Sequence, residues 1–523
     1  MNILMVYPKM PSTFWTMDHL MQMIGKKASY PPVGLLTVAA LLPEAWEKRL
    51  VDLNVRSLRE KDLAWADYVF VSAMNVQAAS AREVIARSRA AGVKVVAGGT
   101  LFTHEYEAFD GVDHFVLNEA EITLPPFLAD LEAGRPQPVY RSSEFADVEQ
   151  TPVPLWELAE RKHYAYAIVQ YSRGCPYECD FCDVTALFGR RPRTKTPQQI
   201  LAELDAIGDL NTFDMVLFAD DNLIGNKKAL KKELLPALIE WRRRTNPPVG
   251  FATQVTVNLV DDPELMQLML EAGFRHIFVG IETPDTDSLI ACKKRQNTKR
   301  DLLDSIHRLH KAGFIVTAGF IVGFDTDQPT IFQRQIDFIQ ESGIVIATMN
   351  LLKAPPGTEL YDRMKREERL IEPFDFDENK TNILPSMGFD ALYNGYEYVL
   401  RHVYDPEYVY RRALTFMETC QGAKVESPIS RSLRLRDIAT FFRIVYHLGL
   451  RGPDRVYLWR LLRWTLKHHP NRVDMAFLFA VLIYQFSQMY ERFTMSVKAG
   501  EVYAPPVSGD GSLTALEQTT LHP

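Results

Sequence analysis

Three cysteines that fall within eight residues constrain this 523-residue chain more than any other feature. Cys175, Cys179 and Cys182 have the spacing C-x3-C-x2-C. Three thiolates suit three irons of a cubane [4Fe–4S] cluster and leave the fourth iron open for another ligand. A closed zinc site normally needs four protein ligands, a disulfide would leave one thiol over, and a chance group of cysteines is the remaining alternative. The other two cysteines, Cys292 and Cys420, are interpreted as buried structural thiols.

The loop that carries these cysteines resembles the cluster loop of radical S-adenosylmethionine (radical SAM) enzymes. In that family an aromatic residue also precedes the last cysteine, and here Phe181 takes that place. The resemblance implies that the three cysteines hold a [4Fe–4S] cluster. It also implies that the amino and carboxylate groups of S-adenosylmethionine (SAM) chelate the open iron.

The composition is that of an ordinary globular protein, with 47% hydrophobic and 24% charged residues. The length predicts roughly three domains, and a net charge of −7 gives no sign of nucleic-acid binding. The few cysteines indicate a reducing compartment, there is no signal-peptide pattern, and no uncharged apolar run is long enough to span a membrane. We therefore expect a cytoplasmic protein that could touch a membrane surface, with a disordered tail at residues 500–523.

Residues 1–140 alternate short apolar runs with helical patterns, which predicts a Rossmann-like domain with a parallel, doubly wound sheet. The predicted strands are Asn2–Tyr7, Arg49–Leu53, Tyr68–Ala73, Val93–Ala97 and His114–Leu117. Such sheets bind ligands beyond the carboxyl ends of their strands. The candidate ligand-binding residues at these ends are Ser72, Gln77, Gly98, Gly99, Thr100, Glu119 and Glu121. Paired glycines would let the backbone approach a bulky ligand closely.

The Gly-Gly pair after the fourth strand and the Glu-x-Glu after the fifth resemble the turns of cobalamin-binding domains attached to radical SAM enzymes. The resemblance implies that cobalamin binds at these strand ends. Many cobalamin proteins bind cobalt through an Asp-x-His-x-x-Gly loop, and this chain has no such motif. Either the cobalt lacks a histidine ligand, or this is a plain Rossmann-like domain that does not bind cobalamin.

Six more strand patterns, each followed by a helical pattern, lie in residues 166–375, after a linker predicted at 141–165. The predicted strands are Ala167–Tyr171, Asp214–Ala219, Val249–Val255, His276–Ile281, Phe314–Val322 and Ile344–Leu352. Six βα units resemble the open (βα)6 barrel of radical SAM enzymes. In βα barrels the chemistry takes place at the carboxyl ends of the strands, and the cysteine loop follows the first of these strands.

Polar residues follow the next barrel strands at places where the family binds SAM. The resemblance implies that Asp220, Asp221 and Asn222 bind the SAM amino group, although many relatives have Gly-Gly-Glu there. It also implies that Gln254 reaches the methionine portion and that Glu282 meets the ribose hydroxyls. We expect the three carboxylates to line one pocket that faces the cluster. Each acidic residue could instead cap a helix or lie on the surface.

Two glycines, Gly319 within the fifth barrel strand and Gly323 directly after it, lie in one short segment. They resemble the glycine-containing segment of the family, and the resemblance implies that adenine packs against them. A lone Gly-x-x-x-Gly is weak by itself. Its occurrence in order with the other strand-end residues is what gives it meaning.

Residues 376–499 show helical patterns and no strand rhythm. The predicted helix Arg455–His468 places Arg460, Arg463 and Lys467 on one face, with leucines largely opposite. This pattern is typical of an interfacial helix that lies on anionic lipid. A helix packed on the barrel with a solvated basic edge is the favoured alternative.

The order of a cobalamin-type domain, a radical SAM core and a helical end resembles a subgroup that includes hopanoid methylases and tetraether ring synthases. It implies a cobalamin-dependent radical SAM enzyme. We expect C-methyl transfer to an unactivated carbon of a large apolar substrate, with a membrane lipid ahead of a peptide. The expected cofactors are a [4Fe–4S] cluster, SAM and cobalamin, with an external electron donor such as flavodoxin or ferredoxin. Cyclisation, oxidation or rearrangement, or an inactive cofactor-binding scaffold, are the alternatives, and the sequence identifies no catalytic residue.

Overall fold

A computed structural model of the protein describes residues 1–371, 379–420 and 435–498. Within these ranges, two six-stranded parallel sheets and a helical region make up the fold. The predicted tail at residues 500–523 lies outside the described residues.

The first sheet forms the N-terminal domain and has the strand order β2-β1-β3-β4-β5-β6, with every pair parallel. Its strands are β1 (Asn2–Tyr7), β2 (Glu47–Asp52), β3 (Tyr68–Ser72), β4 (Lys94–Gly98), β5 (His114–Val116) and β6 (Val139–Tyr140). Its helices are α1 (Asp18–Ile24), α2 (Val33–Leu41), α3 (Glu60–Trp65), α4 (Ala78–Ala90), α5 (Thr100–Glu105) and α6 (Ala120–Glu132). Alternate residues of β1 face two separate apolar clusters, because helices cover both sides of the sheet. The predicted doubly wound domain is confirmed.

The second sheet is an open barrel wall whose strand order follows the chain. Its strands are β7 (Tyr166–Val169), β10 (Met215–Phe218), β11 (Gly250–Val255), β12 (Phe274–Glu282), β13 (Ile315–Val322) and β14 (Ile346–Leu351), all parallel. Two short antiparallel strands, β8 (Ser172–Arg173) and β9 (Arg193–Thr194), form a hairpin after β7. All six predicted barrel strands are confirmed, with ends that differ by one or two residues.

Helices connect the barrel strands and cover the outside of the sheet. They are α7 (Val184–Phe188), α8 (Pro197–Ile207), α9 (Lys227–Ala229), α10 (Leu235–Thr245), α11 (Pro263–Glu271), α12 (Thr286–Ala291), α13 (Arg295–Thr298), α14 (Leu302–Ala312), α15 (Ile331–Ser342) and α16 (Glu359–Arg366). A π-helical turn, Leu230–Leu234, joins α9 to α10. The predicted linker at 141–165 is irregular, but it packs into the barrel core through Trp156, which is 1% exposed.

The helical region packs against α14, α15 and β14 of the barrel. Its helices are α17 (Phe389–Val403), α18 (Pro406–Thr419), α19 (Leu435–Ile444), α20 (Arg455–His468) and α21 (Val473–Lys498), and a π-helix, Val445–Arg451, follows α19. The bounds of α20 are those predicted from the sequence. Leu458 and Leu461 of α20 are buried, whereas Leu466 is 59% exposed, so the predicted leucine face is only partly covered.

An N-terminal segment that the sequence analysis left unassigned closes the open side of the barrel. A 3-10 turn, Phe14–Thr16, and helix α1 leave the N-terminal sheet and pack beside α19 and α21. The Phe14 ring stacks on Phe486 at a centroid distance of 5.7 Å. This segment therefore joins the first domain to the last.

One helical stretch among the described residues, Pro470–Glu491, is long and apolar enough to cross a membrane by length and composition. Its mean hydropathy is 1.2, and 56% of its most apolar window is buried inside the protein. The core helix of a soluble protein passes the same test, so this stretch is weak support for a membrane span.

Replacing Phe14 by alanine tests the closure of the barrel. We expect Phe14→Ala to lower the free energy of unfolding by about 3–5 kcal/mol, because it removes a buried aromatic side chain. Denaturant titration followed by circular dichroism measures the change. Ile290→Ala is the control, since Ile290 is 59% exposed and should cost less than about 0.5 kcal/mol. Equal midpoints for the two variants would show that the segment does not close the barrel.

Candidate functional site

The cysteine loop starts at the β8–β9 hairpin, at the carboxyl end of β7. Cys175 donates its backbone N–H to the Gly189 carbonyl at 3.2 Å. Gly174, just before it, has a φ of +91°, and a Cβ there would lie 2.8 Å from the same carbonyl. Only glycine suits this position. Backbone packing therefore fixes the first turn of the loop.

Two carboxylates at the end of β10 hold the loop from behind. Asp220 is 1% exposed and accepts hydrogen bonds from the Ser172 N–H, the Ser172 hydroxyl at 2.5 Å and the Tyr171 N–H at 3.3 Å. Asp221 accepts the Gly174 N–H at 2.8 Å. Burial raises the pKa of Asp220 to about 7 and that of Asp221 to about 6. These two residues serve the loop backbone, and neither lines the large cavity described below.

The three cluster-loop thiols are free and partly exposed. The Asn222 Nδ2 lies 4.0 Å from the Cys175 Sγ, and the Gln296 Nε2 lies 3.7 Å from the Cys179 Sγ. Hydrogen bonds to cluster sulfurs tune an iron–sulfur centre. Burial raises the pKa of the Cys182 thiol to about 12, so metal binding must displace its proton.

The cysteine loop supplies three thiol donors. A closed zinc site normally needs four protein ligands, whereas three thiolates suit three irons of a cubane cluster. In the part of the chain that the structure describes, no group of three or more His, Cys, Asp or Glu side chains could hold a single metal ion.

The carboxylate of Glu282 has a different partner from the one expected. It forms a buried ion pair with Lys294, and the two side chains are 10% and 9% exposed. A Cβ on Gly280 would lie 2.6 Å from the Lys294 Nζ, so that glycine makes room for the pair. Burial acts to lower the pKa of Lys294, but Glu282 and the nearby Cys179 raise it above its ordinary value. Contact with a SAM ribose would have to share this carboxylate with Lys294.

Gly319 in β13 is favoured by close packing, and Gly323, which follows β13, is favoured by its backbone conformation. A Cβ on Gly319 would lie 2.9 Å from the Phe278 ring. Gly323 has a φ of +103°, and its N–H donates to Asp327 at 2.9 Å. Contact of this segment with adenine stays a prediction.

A cavity of about 3280 Å³ lies where the three parts of the protein meet. The inner face of the barrel contributes Ile168, Leu217, Gln254, His276, Phe278 and Thr317. The helical region contributes Phe441, Phe442, Leu478 and Leu482, and the N-terminal segment contributes Phe14 and Trp15. The cavity meets the cluster loop at Asp183. Its walls are mainly apolar. The Gln254 side chain is one of the polar groups on the wall, where it could contact a bound ligand.

The strand ends of the N-terminal domain form another wall of this cavity through Ser72, Gly99 and Thr100. Gly99 has a φ of +93°, and a Cβ there would lie 2.8 Å from the Ala73 carbonyl. A Cβ on Gly98 would lie 2.7 Å from the Val116 carbonyl. The glycine pair is thus needed for strand packing, and it leaves the backbone bare at the cavity.

Gln77 does not line the cavity. It is 1% exposed, donates its Nε2 to the Pro8 carbonyl at 2.5 Å and accepts the Met74 N–H at 2.8 Å. Its amide therefore shapes the loop that follows β3. The predicted contact of Gln77 with a ligand stays a prediction.

Glu119 and Glu121 also lie outside the cavity. The Arg173 guanidinium donates to Glu119 and to Glu121, each at 2.8 Å. Burial opposes ionisation of Glu121, but Arg173 lowers its pKa to about 2. The pairing therefore contributes stability at neutral pH that is lost as the pH falls from about 4.5 towards 2. These carboxylates bind the arginine next to the cluster loop, and their contact with cobalamin stays a prediction.

Two residues at the same strand ends were missed by the sequence analysis. The Asn75 Nδ2 lies 3.0 Å from the His104 Nδ1. Among the residues that the structure describes, the Asn75 Oδ1 and the His104 Nε2 are both buried without a hydrogen-bond partner. Burial lowers the pKa of His104, and the nearby Asp183 opposes this shift. Asn75 lies between the predicted residues Ser72 and Gln77, but His104 belongs to no motif that would have revealed it.

Each of the three parts of the chain matches a model of a known protein family. Family models match the B12 binding domain at residues 26–128, the radical SAM superfamily at 169–339 and a domain of unknown function at 358–499. An uncharacterised methyltransferase of Synechocystis sp. is 38% identical over 476 residues, which is 90% of this chain and 88% of that protein. The hopanoid C-2 methylase of Rhodopseudomonas palustris is 35% identical over 88% of both chains. This chain belongs to the B12-binding radical SAM methyltransferases.

Solved structures share the fold of these methyltransferases. The cobalamin-dependent radical enzyme OxsB, solved with aqua-cobalamin and SAM, matches 98% of this chain and 82% of its own length with a TM-score of 0.59 at 16% identity. The radical SAM methyltransferase TsrM from Kitasatospora setae, solved with cobalamin and a [4Fe–4S] cluster, has a TM-score of 0.54, again at 16% identity. It matches 70% of this chain and 78% of its own length.

The residues present fit the cofactors of the family. Cys175, Cys179 and Cys182 would hold the [4Fe–4S] cluster. The backbone at Gly99, which no side chain covers, offers cobalamin a surface to pack on. The side-chain amide oxygen of Asn75 offers it a hydrogen-bond acceptor. SAM would bind between the cluster loop and the carboxyl ends of the barrel strands.

Removing the three loop cysteines tests the metal centre of this methyltransferase. We expect anaerobic reconstitution to give about four irons per chain, and Cys175→Ala/Cys179→Ala/Cys182→Ala to give none. Cys292→Ala and Cys420→Ala are the matched controls, because both thiols are buried outside the loop. Iron analysis and absorption spectra measure the result. A normal cluster in the triple variant, or zinc in the wild type, would contradict the assignment.

Proposed function

We propose that this protein is a cobalamin-dependent enzyme that transfers a methyl group to an unactivated carbon of a large, mostly apolar substrate. The observation that carries the proposal is a cavity of about 3280 Å³ on which the strand ends of the N-terminal domain, the barrel and the helical region converge. Drug-sized ligands occupy pockets of roughly 300–1,000 Å³. This cavity has room for cofactors and a large substrate together.

The protein's own part is to position the reactants and to exclude water. When bound, the cluster and SAM supply the radical that removes a hydrogen atom, and cobalamin supplies the methyl group. Asp220 and Asp221 hold the cluster loop through its backbone. Apolar side chains of the barrel and of the N-terminal segment keep the cavity dry around the reacting carbon.

The substrate class follows from the walls of the cavity. Trp15 lies edge-on to Phe278 at a centroid distance of 5.4 Å, and both rings line the cavity. Phe441 and Leu478 face them from the helical region. Such walls favour a polycyclic or long-chain hydrocarbon over a charged peptide. A membrane lipid is therefore the leading substrate, and a peptide is the alternative.

The proposal also includes the cellular compartment and the electron donor of the reaction. The five cysteines are all free in the structure, which suits a reducing cytoplasm. An external flavodoxin or ferredoxin would supply the electron, as the family resemblance implies.

Contact with a membrane surface is a further part of the proposal. Several large apolar side chains of the helical region are exposed, and we call this set the helical-end patch: Phe441, Phe442, Tyr446, Leu450, Val456, Trp459 and Leu466. Phe441 and Phe442 also line the cavity. A patch of this kind at a cavity mouth is typical of a surface that meets lipid. Substrate could then enter the cavity from the membrane.

The basic stripe expected on α20 is present in reduced form. Arg460 pairs with Glu407 at 2.7 Å and stacks on Tyr410 at 4.2 Å, so it serves the packing of the helical region. Arg463 and Lys467 are exposed. Each could add about 1 kcal/mol of attraction to anionic lipid.

Anaerobic turnover tests the reaction class. We expect the reconstituted protein, given SAM, cobalamin and lipid extract, to produce a lipid with the mass gain of one CH2 unit per methyl transferred. SAM with a deuterated methyl group should shift that gain, and the triple cysteine variant should give none. A product that changes without a methyl gain would favour cyclisation, oxidation or rearrangement. No turnover of lipid or peptide extracts would favour the scaffold.

Vesicle co-sedimentation tests the membrane contact. We expect the protein to sediment with phosphatidylglycerol vesicles at low salt and to be released at high salt, because surface attraction is screened. Leu450→Ser/Trp459→Ser and Arg463→Gln/Lys467→Gln should each weaken binding, while Ile290→Ser, on a distant exposed site, should not. If vesicles retain no wild-type protein at low salt, the membrane contact is wrong.

A further inference from the structure

A buried network of four charged residues joins the N-terminal domain to the cluster loop. Glu119 and Glu121 lie at the carboxyl end of β5, and their side chains are 3% and 7% exposed. Arg173 is the last residue of β8, and its side chain is 13% exposed. It reaches both carboxylates with separate guanidinium nitrogens, each at 2.8 Å. We call this set, completed by Arg193, the inter-domain clamp.

Arg193 reaches Glu119, but not Glu121, from the opposite strand of the hairpin. It is the register partner of Arg173 in the β8–β9 pair. Its Nη1 donates to Glu119 at 2.9 Å and to the Ala146 carbonyl at 2.5 Å. Both arginines of the hairpin that carries the cluster loop thus end on the N-terminal domain.

The remaining polar atoms of the clamp are largely satisfied. The Ala146 N–H donates to Glu119 at 2.8 Å, and the Thr151 hydroxyl donates to Glu121 at 2.7 Å. The Arg173 Nε donates to Gln170 at 2.9 Å. Two positive and two negative charges balance inside the interface. A guanidinium is a rigid planar fork, so such paired contacts fix orientation as well as distance.

We propose that the inter-domain clamp is a positioning device that sets the separation and orientation of the cluster relative to the cobalamin. This inference rests on the proposed function. Arg173 stands two residues before Cys175, so a shift of the guanidinium moves the first cluster ligand. Glu119 follows β5, which pairs with β4, and Gly99 follows β4 at the cavity wall. The clamp therefore connects the two cofactor sites by a short path. The chain links Arg173 to Cys175, and a hydrogen-bonded ion pair links Arg173 to Glu119.

The alternative is that the clamp only stabilises the interface. A positioning role has a further consequence, because the two cofactors must be held at a defined distance and orientation. A misplacement on the order of 1 Å can lower the reaction rate by about 10²-fold. A purely stabilising role would change the melting temperature and leave the cofactor separation as it is.

Pulsed electron paramagnetic resonance of the loaded, full-length protein tests the proposal. The reduced cluster and Co(II) cobalamin each carry an unpaired spin, and their dipolar coupling reports their separation. We expect a narrow distance distribution in the wild type. Glu121→Gln, which keeps shape and removes charge, and Arg173→Lys, which keeps charge and removes the fork, should both broaden or shift it. Methyl transfer should fall by about 10- to 100-fold relative to 5′-deoxyadenosine release.

Arg56→Gln is the matched control. Arg56 forms a partly buried pair with Asp62 in the same domain, away from the cluster loop. It should leave the distance distribution unchanged. If Glu121→Gln fails to fold, Arg173→Lys carries the test.

Two results would overturn the proposal. One is a wild-type distance distribution in both clamp variants. The other is loss of either cofactor from folded Arg173→Lys, which would assign the clamp to cofactor retention. A wild-type protein that binds both cofactors but methylates nothing would count against the proposed function alone, since the distance measurement does not need turnover.

Discussion

The carboxylate of Asp220 binds the backbone and the hydroxyl of Ser172, and the geometry of the site depends on this interaction. A buried carboxylate is costly unless its oxygens are hydrogen-bonded, so the residue tolerates little displacement. Ser172 opens the β8–β9 hairpin, which carries Cys175 on one side and Arg173 at its end. One buried acceptor thus places the metal ligands and the arginine that reaches the N-terminal domain.

The open barrel creates a second constraint. A sheet of six strands leaves one side of its inner face uncovered, and that face is apolar. The segment around Phe14 and the helices α19 and α21 cover the gap, but they leave a cavity instead of a packed core. The same residues that close the barrel therefore form walls of the site, and the exposed Phe442 links those walls to the surface.

The strands and most of the helices were predictable because the sequence patterns that indicate them are local. Buried parallel strands appear in the sequence as short apolar runs, and the spacing of the three cysteines is a motif in itself. The partners of strand-end carboxylates were not predictable. Glu121 was expected at cobalamin and binds Arg173, and Glu282 was expected at ribose and binds Lys294. An acidic residue at a strand end can accept from a ligand or from the protein, and only the three-dimensional arrangement decides between them.

Helix α1 was missed for a related reason. Its seven residues are too few for a clear helical period, and it is stabilised by distant contacts with α19 and α21. His104 was missed because a single histidine outside a motif has no signal, although the fold brings it to Asn75. Both features depend on contacts between residues far apart in the chain, which the sequence patterns did not predict.

The central claim is that cobalamin and the cluster face one shared cavity. A crystal structure of the anaerobically reconstituted protein with cobalamin and SAM tests it most directly. The account predicts the corrin ring on the wall formed by Ser72, Gly99 and Thr100, with its open face towards the cluster at Cys175, Cys179 and Cys182. A corrin ring bound elsewhere, or one separated from the cluster by packed protein, would contradict it.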